Sequence, residues 1–226
     1  MQGNVLLRNV GVPGAHEIDA YLQGGGYQAL GKALGRPPAE IVELVLQSGL
    51  RGRGGAGFPT GRKWMFLPRG VYPRFLVCNA DEGEPGTFKD RALMEHDPHG
   101  LLEGIAISSY ACEVEHAFVY VRGEYTLSYR RLQQAVAEAY DRGFLGKDIL
   151  GSGYSLDVSL MAGAGAYICG EETSLLSSLE GRRGHPKLKP PFPATQGLYR
   201  EPTVVNNVET LFNVPFLVSH GADWYR

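Results

Sequence analysis

Apolar side chains recur every three or four positions in several stretches of this chain, which is the spacing of one helix face. Ile41, Leu44 and Val45 show this spacing clearly. Pro38 suits the first turn of such a helix, and Gly49 suits its end. The pattern therefore predicts a helix at residues 39–48. Further helices are predicted at residues 17–22, 27–34, 101–112 and 128–141.

Short apolar runs of β type alternate with these helices. They lie at residues 74–79, 117–121, 156–160 and 203–205. Alternating strands and helices predict an α/β fold with a mainly parallel sheet, in which ligands collect beyond the carboxyl ends of the strands. Residues 1–38 are predicted to form an N-terminal arm and helix, and residues 39–226 the α/β domain.

Composition narrows the possible functions. The chain has 226 residues, of which 43% are hydrophobic, and its 22 basic and 24 acidic side chains give a net charge of −2. This balance provides no broad field for nucleic acid or an anionic membrane. Charges interrupt every apolar run before it reaches membrane-spanning length, and the first residues show no secretory pattern. We therefore expect no nucleic acid partner and no direct membrane insertion.

Three cysteines are spread widely along the chain. Cys78, Cys112 and Cys169 form no C-x-x-C pair, so no zinc or iron–sulfur motif is present. Their surroundings are apolar, which predicts buried, reduced thiols of an intracellular protein.

A run of glycines at residues 49–64 predicts a loop that can wrap closely around a ligand. Gly52, Gly54 and Gly57 spell G-x-G-x-x-G, but the segment before them is helical, whereas a dinucleotide fingerprint requires a strand. Lys63 is not followed by the Ser or Thr of a Mg²⁺-holding phosphate loop. The loop is therefore predicted to bind phosphate by another design, through its main-chain N–H groups. An arginine-bearing surface loop is the alternative.

Polar side chains crowd the loop after the first predicted strand. Asn79, Asp81, Glu82 and Glu84 lie within six residues there. Like charges in one loop repel, so such a cluster needs a reason. These groups could accept hydrogen bonds from ring N–H groups or ribose hydroxyls of a ligand. A solvated loop with side-chain turns is the alternative.

Two later segments carry further candidate contacts. Glu171 and Glu172 follow a second glycine-rich run. They could contact a ligand, or they could only stabilise the N-terminus of a helix through its dipole. Prolines stiffen the loop that bears Lys189 and Phe192. That loop suits pairing with a phosphate and stacking on an aromatic base, or it is only a rigid surface connection.

Two adjacent asparagines follow the last predicted strand. Asn206 is interpreted as the N-cap of a helix, with Glu209 as its capping partner. With Asn207, it is also well placed to bind a phosphate or a ring edge. The six histidines, including His96 and His99, show no metal spacing and are interpreted as surface or turn residues.

Together these strings resemble the flavoprotein subunit of NADH:quinone oxidoreductase, respiratory complex I, of the 51 kDa type. The segments that carry the resemblance are GLRGRGGAGFPTGRKW (residues 49–64), CNADEGEPGTFKDR (78–91), GAGAYICGEETSLLSSLEG (163–181) and PPFPATQGLYREPTVVNNVETL (190–211). The resemblance runs from about residue 18 to the last residue. The same module recurs in the diaphorase parts of NAD-linked hydrogenases and formate dehydrogenases.

The resemblance implies a Rossmann-like domain that holds non-covalent FMN, with NADH stacked on the flavin. Matching positions imply FMN contacts at Gly52, Gly54, Gly55, Gly57, Lys63, Asn79, Asp81, Glu82, Tyr167, Gly170, Glu171, Asn206, Asn207 and Thr210. The positions implied near NADH are Phe58, Phe66, Lys189 and Phe192. Glu84 and Glu172 match positions near the nicotinamide and its ribose, and they are the candidate catalytic residues.

The implied reaction passes a hydride from nicotinamide C4 to flavin N5, which requires stacked rings rather than a protein nucleophile. Electrons would then leave singly to iron–sulfur subunits, one of them thioredoxin-like with a [2Fe–2S] cluster, and reach quinone in a larger complex. This implies a location in the cytoplasm or on the mitochondrial matrix side, peripheral to the inner membrane. Family members continue into a region that ligates a [4Fe–4S] cluster. This chain ends at Arg226 without such cysteines, so we expect it to carry no metal ligands.

Other functions remain open on the residues alone. The motifs do not separate complex I from a soluble diaphorase. An alternative from a different functional class is a scaffold that binds flavin or nucleotide but catalyses no reaction. A nucleic-acid binder that uses Arg51, Arg53, Arg62 and Lys63 is disfavoured by the net charge and the acidic loop.

Overall fold

A parallel β-sheet forms the centre of the computed structural model, which describes residues 5–226. Residues 1–4 of the expected N-terminal arm lie outside the described residues. The absence of a secretory pattern was inferred partly from these four residues. The strands are β1 (Phe75–Ala80), β2 (His116–Val121), β3 (Asp157–Ala162) and β4 (Thr203–Asn207). All neighbouring strands are parallel, which confirms the α/β prediction.

The strand order is β3-β2-β1-β4. The chain therefore builds β2 and β3 outward on one side of β1 and then returns to place β4 on the other side. This reversal makes a topological switch point between β1 and β4. In open parallel sheets, ligands bind outside the carboxyl ends of the strands at such a point.

Helices cover both faces of the sheet. The α-helices are α1 (Ile18–Gln23), α2 (Gln28–Leu34), α3 (Pro38–Ser48), α4 (Thr60–Met65), α5 (Lys89–His96), α6 (Pro98–Ala111), α7 (Thr126–Asp141), α8 (Glu172–Leu179), α9 (Pro193–Gln196), α10 (Val208–Phe212), α11 (Val214–His220) and α12 (Ala222–Tyr225). Short 3₁₀ turns lie at Ile149–Gly151, Tyr167–Gly170 and Leu198–Arg200. No helix within residues 5–226 has the length and apolar character needed to cross a bilayer.

Helix α6 is the central helix of the larger core. Asp97 caps it by accepting a hydrogen bond from the Gly100 N–H at 3.1 Å, and nearly all of its residues are buried. It packs on β1, β2 and α10. Gly104 permits the approach of α10, because a Cβ there would lie 2.2 Å from the Leu211 carbonyl oxygen. The opposite face of the sheet packs on α8.

The N-terminal helices join this core through buried polar contacts. Glu103 of α6 accepts hydrogen bonds from the Tyr21 hydroxyl at 2.5 Å and the Leu30 N–H at 2.9 Å. Tyr21, Leu30 and Glu103 are all buried. Helices α1 and α2 therefore pack on α6, whereas the division of the chain at residue 38 stays a prediction.

One histidine departs from the expectation that all six lie in turns or at the surface. His99 is fully buried, with its ring between the Tyr27 hydroxyl and the Glu138 carboxylate, each at 3.0 Å. Burial lowers the pKa of His99 more than Glu138 raises it. The interpretation of His99 as a surface or turn residue was wrong, because its partners lie on distant helices that the local sequence does not reveal.

The three cysteines are buried and free, as predicted from their apolar surroundings. Burial raises the pKa of Cys78 and of Cys112, so both remain thiols at neutral pH. No cluster of three or more His, Cys, Asp or Glu within residues 5–226 is arranged to hold a metal ion.

Candidate functional site

A cavity of about 460 Å³ opens at the carboxyl ends of β1 and β4, at the switch point of the sheet. Its volume lies within the range of small-molecule and cofactor sites. Its lining comes from the glycine loop, the loop after β1, the start of α5, the 3₁₀ turn before α8 and the end of β4. The lining residues are Arg53, Gly54, Gly55, Asn79, Asp81, Glu82, Gly83, Glu84, Thr87, Lys89, Asp90, Tyr167, Ile168, Gly170, Glu171 and Asn207.

Asn79 lies near the end of β1 and organises one wall of the cavity. Its Oδ1 accepts a hydrogen bond from the Asp81 N–H at 3.1 Å, which turns the chain sharply. Its Nδ2 donates to the Gly170 carbonyl at 2.8 Å. The loop after β1 is thereby tied to the segment before α8, and the cavity lies between the two.

Glu82 is buried with its carboxylate directed at the N-terminus of α5. It accepts hydrogen bonds from the N–H groups of Asp90 and Arg91, at 2.9 and 3.1 Å, and from the Tyr125 hydroxyl at 3.1 Å. Arg122 donates to the Glu82 carbonyl at 2.7 Å. The side chain therefore holds the loop on α5, which leaves other atoms of the residue to meet a ligand.

Asp81 differs from Glu82, because one of its carboxyl oxygens has no partner. Its Oδ2 is buried and receives no hydrogen bond from residues 5–226. Burial raises the pKa of Asp81 to about 6, opposed by Arg122 and assisted by Glu124. An unpartnered buried carboxyl oxygen on the wall of a cavity is suited to receive a donor from a ligand.

The glycine loop is closed at its base like a hairpin. The Gly52 N–H donates to the Phe58 carbonyl at 2.9 Å, and the Thr60 N–H donates to the Leu50 carbonyl at 2.9 Å. Gly55 has φ +112°, a conformation that L side chains rarely adopt. Gly57 has φ +64°, in the left-handed region. Only Gly54 and Gly55 of the expected glycines in this loop line the cavity, whereas Gly52 and Gly57 shape the loop behind them.

Helix α10 holds the glycine loop through a side-chain hydrogen bond. Thr210 is fully buried, and its Oγ1 accepts a hydrogen bond from the Arg53 N–H at 2.9 Å. Thr210 therefore positions the loop and does not line the cavity. Gly54 fits against Asn207, since a Cβ on Gly54 would lie 3.3 Å from the Asn207 Cβ.

The two asparagines have different roles. Asn207, not Asn206, caps α10, and its Oδ1 accepts a hydrogen bond from the Glu209 N–H at 3.0 Å. The N-cap interpretation of Asn206 was wrong by one residue because β4 extends to Asn207. The Asn206 Oδ1 instead accepts a hydrogen bond from the Trp64 indole N–H at 2.9 Å, in the interior.

A group of charges lies where Asn207 meets α5. The Lys89 ammonium lies 2.6 Å from Asp90 Oδ1, 3.1 Å from Glu209 Oε2 and 3.2 Å from Asn207 Oδ1. Asn207 Nδ2 also donates to Asp90 at 2.6 Å. Burial raises the pKa of Asp90, while Lys89 opposes that shift. Lys89 and Arg53 both line the cavity beside the glycine loop, and both are ion-paired with Glu209, Arg53 at 3.8 Å.

A second charge cluster, Lys63–Glu172–Lys189, lies at the N-terminus of α8. The Glu172 carboxylate receives Lys63 at 3.0 Å and Lys189 at 2.5 Å, and Lys189 is also 3.3 Å from Glu171. Burial alone would raise the pKa of Glu172, but the two lysines outweigh it and hold the pKa below its usual range. The cluster joins α4, α8 and the proline-rich loop.

Glu171 caps α8, in agreement with the helix-end alternative. Its Oε2 accepts hydrogen bonds from the N–H groups of Thr173 and Ser174, at 2.9 and 3.0 Å. Burial would raise the pKa of Glu171, but these bonds and Lys189 lower it overall. Glu171 also lines the cavity, so it is a cap and a candidate contact together.

The four expected aromatic side chains, Phe58, Phe66, Tyr167 and Phe192, are exposed. The Tyr167 hydroxyl donates to Glu84 Oε2 at 2.6 Å, so both expected residues meet at the mouth. The rings of Phe58 and Phe66 have centroids 5.9 Å apart, and both are exposed. Phe192 is 58% exposed at the start of α9, which leaves its ring free to stack on a ligand.

Known proteins show the family to which this chain belongs. Residues 45–216 match the family described as the Nuo51 FMN-binding domain. These residues hold β1–β4, the glycine loop and every lining residue of the cavity. The chain belongs to this family. Within an FMN-binding domain, the cavity at the switch point is the expected place for the cofactor.

Named relatives of this FMN-binding domain share much of its sequence. The second F-type subunit of the NADH-quinone oxidoreductase of Rhizobium meliloti is 62% identical over 224 residues, 98% of this chain and 53% of that protein. The F-type subunit of the Aquifex aeolicus enzyme of the same name is 59% identical and matches 99% of this chain and 52% of that protein. The HndC component of the NADP-reducing hydrogenase of Solidesulfovibrio fructosivorans is 50% identical, over 99% of this chain and 46% of that protein.

Solved structures agree with the fold of the FMN-binding domain. The NAD⁺-reducing [NiFe]-hydrogenase in its H₂-reduced state superposes with a TM-score of 0.78 at 41% identity, over 92% of this chain and 36% of that chain. Its air-oxidised form gives a TM-score of 0.74 at 45% identity, over 83% of this chain and 31% of that chain. The present chain spans about half the length of the curated relatives it matches.

The sequence located most of the cavity wall. The expected residues that line it are Gly54, Gly55, Asn79, Asp81, Glu82, Glu84, Tyr167, Gly170, Glu171 and Asn207. Those outside its lining are Gly52, Gly57, Phe58, Lys63, Phe66, Glu172, Lys189, Phe192, Asn206 and Thr210. Six lining residues were not among the expected contacts: Arg53, Gly83, Thr87, Lys89, Asp90 and Ile168. Lys89 and Asp90 follow the acidic loop within the motif at residues 78–91. A basic residue so close to several carboxylates was the sequence signal that could have identified them as site residues.

The cavity fits FMN in three observed respects. Gly54 and Gly55, which have no side chains, expose main chain on the cavity wall, as a phosphate site requires, and the cationic Arg53 and Lys89 lie beside them. The buried, unpartnered oxygen of Asp81 can accept a hydrogen bond from a ligand. A Cβ on Gly83 would lie 3.1 Å from the Tyr167 ring, so the glycine at this position lets the ring pack closely against the cavity wall.

Proposed function

We propose that this chain is the FMN- and NADH-binding module of an NADH dehydrogenase flavoprotein. The observation that carries the proposal is the cavity at the β1–β4 switch point, within the residues that match the FMN-binding family. When bound, FMN supplies the ring that accepts a hydride from NADH. The protein supplies binding, orientation and electrostatics.

In this proposal, each wall of the cavity has one role. The main chain of Gly54 and Gly55 binds the phosphate of FMN. The cationic side chains of Arg53 and Lys89, both ion-paired with Glu209, lie beside it. Asn79 fixes the wall that faces the remainder of FMN, because its amide is held on both sides. This arrangement keeps the phosphate away from the carboxylates of the β1 loop, which would repel it.

NADH is proposed to approach at the mouth, where Glu84, Tyr167 and the Lys63–Glu172–Lys189 cluster lie. Glu84 is exposed and oriented by the Tyr167 hydroxyl, so its carboxylate is available to a ribose or amide donor. The exposed rings of Phe58 and Phe66 provide a surface on which an adenine can stack. No protein nucleophile is required, because the reaction depends on the two rings being held in contact.

The direct test is an anaerobic titration of the FMN-reconstituted chain with NADH, followed by the flavin absorption band. Bleaching by about one equivalent of NADH is expected if these residues suffice for hydride transfer. Flavin that stays bound and unbleached would favour the scaffold alternative. A chain that retains no flavin would contradict the proposal for these 226 residues.

Lys189 provides a sharper test of the nucleotide site. In the proposed site, Lys189 pairs with a phosphate of NADH. We expect Lys189→Met to weaken NADH binding by about tenfold to a hundredfold, because a hydrogen bond between charged groups contributes about 1.5–3 kcal/mol. FMN affinity should change less than NADH affinity, since Lys189 does not line the cavity and reaches it only through its ion pair with Glu171. The matched control is Lys187→Met, an exposed lysine two positions away. Equal NADH affinities in the two variants would remove Lys189 from the proposed site.

The diaphorase of a soluble hydrogenase is a second candidate, favoured by the similarity to HndC and to the NAD⁺-reducing [NiFe]-hydrogenase. Both candidates make the chain part of a multi-subunit enzyme, with iron–sulfur subunits as electron acceptors. A thioredoxin-like [2Fe–2S] partner and a peripheral position on a membrane complex belong to the first candidate. Subunits that co-purify with the tagged chain would distinguish the two candidates.

A further inference from the structure

An exposed basic segment joins α8 to α9. Residues 181–192, here called the basic strap, are exposed except for Gly184, which is half-buried. None of them lines the cavity at the switch point of the sheet. The strap has no acidic residue, and its cations are Arg182, Arg183, Lys187 and Lys189. A local excess of positive charge therefore lies on a chain whose net charge is −2.

The basic strap runs back along α8 and is bonded to it. The Arg182 N–H donates to the Ser177 carbonyl at 2.9 Å, near the C-terminus of the helix. The Lys187 N–H donates to Thr173 Oγ1 at 2.8 Å, in the first turn of the helix. The strap therefore lies antiparallel to α8, from the C-terminal end of the helix to its N-terminal end.

Two further features make the basic strap rigid. Gly184 lies so close to Cys169 that an added Cβ would be 2.7 Å from the sulfur atom. Three prolines within the strap restrict its backbone: Pro186, Pro190 and Pro191. A segment that is already ordered loses little conformational entropy when it binds a partner.

Leu188 projects from the basic strap and is 94% exposed. The main chain of Lys187 is held by Thr173, and the side chain of Lys189 is held by Glu172 at 2.5 Å. Because both neighbours are fixed to α8, Leu188 stays on the outer side of the strap. Its apolar surface is removed from water only when another molecule covers it, and this burial favours binding.

The basic strap also carries two cations that form no ion pair within residues 5–226. These are Arg183 and Lys187, whereas the neighbouring Arg182 lies 3.7 Å from Glu180. Both are exposed. An exposed leucine with free cations on the same rigid segment makes a surface with an apolar centre and a charged rim, which is the arrangement of a protein-binding interface.

The size of the charge decides between classes of anionic partner. Segments that bind anionic membranes carry about four to eight basic residues, and proteins that bind DNA through its backbone often contact about 6–10 phosphates. The two free cations of the basic strap are too few for either. A small anion would leave Leu188 in water. A protein segment that is acidic and carries an apolar side chain matches both the cations and the leucine.

We propose that the basic strap docks a partner protein through an acidic segment, with Leu188 at the centre of the contact and Arg183 and Lys187 at its rim. The proposed nucleotide contacts of this region, Lys189 and Phe192, lie at the other end of the strap. Docking and NADH binding are therefore separable. The inference does not depend on the FMN site.

A photoreactive leucine analogue in place of Leu188 tests the proposal in the assembled enzyme. Irradiation should cross-link it to a partner subunit, and mass spectrometry should show that the cross-linked segment has a net negative charge. The same analogue at Leu150, which is 50% exposed in the turn after α7, is the matched control and should not label that segment. Cross-links only to the chain's own polypeptide, to lipid or to nucleic acid, or no cross-link, would overturn the inference.

The cross-linked segment, made as a synthetic peptide, allows each contact to be measured. Leu188→Ser should weaken peptide binding by about tenfold or more, because a buried apolar contact is lost. Arg183→Glu combined with Lys187→Glu should weaken it by about tenfold at low salt and by less at about 0.5 M salt, which screens exposed charges. The matched control is Arg130→Glu combined with Lys147→Glu, two exposed cations elsewhere on the surface.

Catalysis provides the readout that separates docking from the nucleotide site. NADH oxidation by the FMN-loaded chain, with ferricyanide as acceptor, should be the same in all these variants, since none of the changed residues lines the cavity. Loss of peptide binding with activity retained would support the inference. Equal peptide affinity in the wild type and Leu188→Ser would overturn it and leave the FMN and NADH proposals standing. Activity lost together with docking would place the strap in the nucleotide site and would also overturn it.

Discussion

Gly104→Ala should lower the free energy of unfolding by about 3 kcal/mol, the largest effect on stability that we expect from one methyl group in this chain. The new Cβ would lie 2.2 Å from the carbonyl oxygen of Leu211. That oxygen belongs to the backbone of α10 and cannot rotate away, so α6 and α10 must separate. Overpacking typically costs about 1–3 kcal/mol, and a backbone clash lies at the upper end. The melting temperature should fall by about 6–12 °C.

Gly31→Ala is the matched control for that prediction. Gly31 also lies in a helix, but the nearest atom to its added Cβ would be the Leu150 Cδ1 at 3.9 Å. Alanine is the better helix former by about 1 kcal/mol, so this variant should be neutral or more stable. Thermal unfolding followed by circular dichroism measures both. A Gly104→Ala protein as stable as the control would show that α6 and α10 are less closely packed than described.

Gly55→Ala should weaken FMN binding by at least tenfold. Its φ of +112° is unfavourable for an L side chain, although no atom lies within 4 Å of the added Cβ. The strain, of order 1–3 kcal/mol, is relieved if the loop turns its peptides away from the cavity. Because Gly55 lines the cavity, that change removes main-chain donors from the proposed phosphate.

Gly70→Ala separates strain from binding. Gly70 has φ +69°, nothing within 4 Å of an added Cβ, and a position outside the cavity lining. Both variants should lose some stability, whereas only Gly55→Ala should lose FMN affinity in a fluorescence titration. The glycine loop would have no special role if the two variants bound FMN equally well.

The sequence predicted the sheet well because each strand carries its own evidence. Leu76, Val77 and Cys78 form an apolar run that is buried on both faces, as parallel strands require. The order β3-β2-β1-β4 was not predicted, since an apolar run does not identify its neighbour. Helix α5 was missed because it is short, with only Leu93 and Met94 as buried apolar residues.

Errors at the site came from partners that lie far away in the sequence. Asn206 was interpreted as a cap from Glu209, three residues on, but its actual partner is Trp64. Lys89 was not expected in the site, because its contacts with Asn207 and Glu209 join β4 and α10 to α5. Local patterns predict local structure, whereas the pairing of distant side chains follows only from the fold.

The support of the glycine loop by α10 has a consequence for how the protein is made. The hydrogen bond from Arg53 to Thr210 spans 157 positions, and the one from Trp64 to Asn206 spans 142. A ribosome adds about 5–20 residues per second, so the glycine loop is synthesised about 7–30 seconds before its supports. Until then its arginines and open backbone have no partners from α10. The cofactor pocket can therefore form only when nearly the whole of these 226 residues has been synthesised.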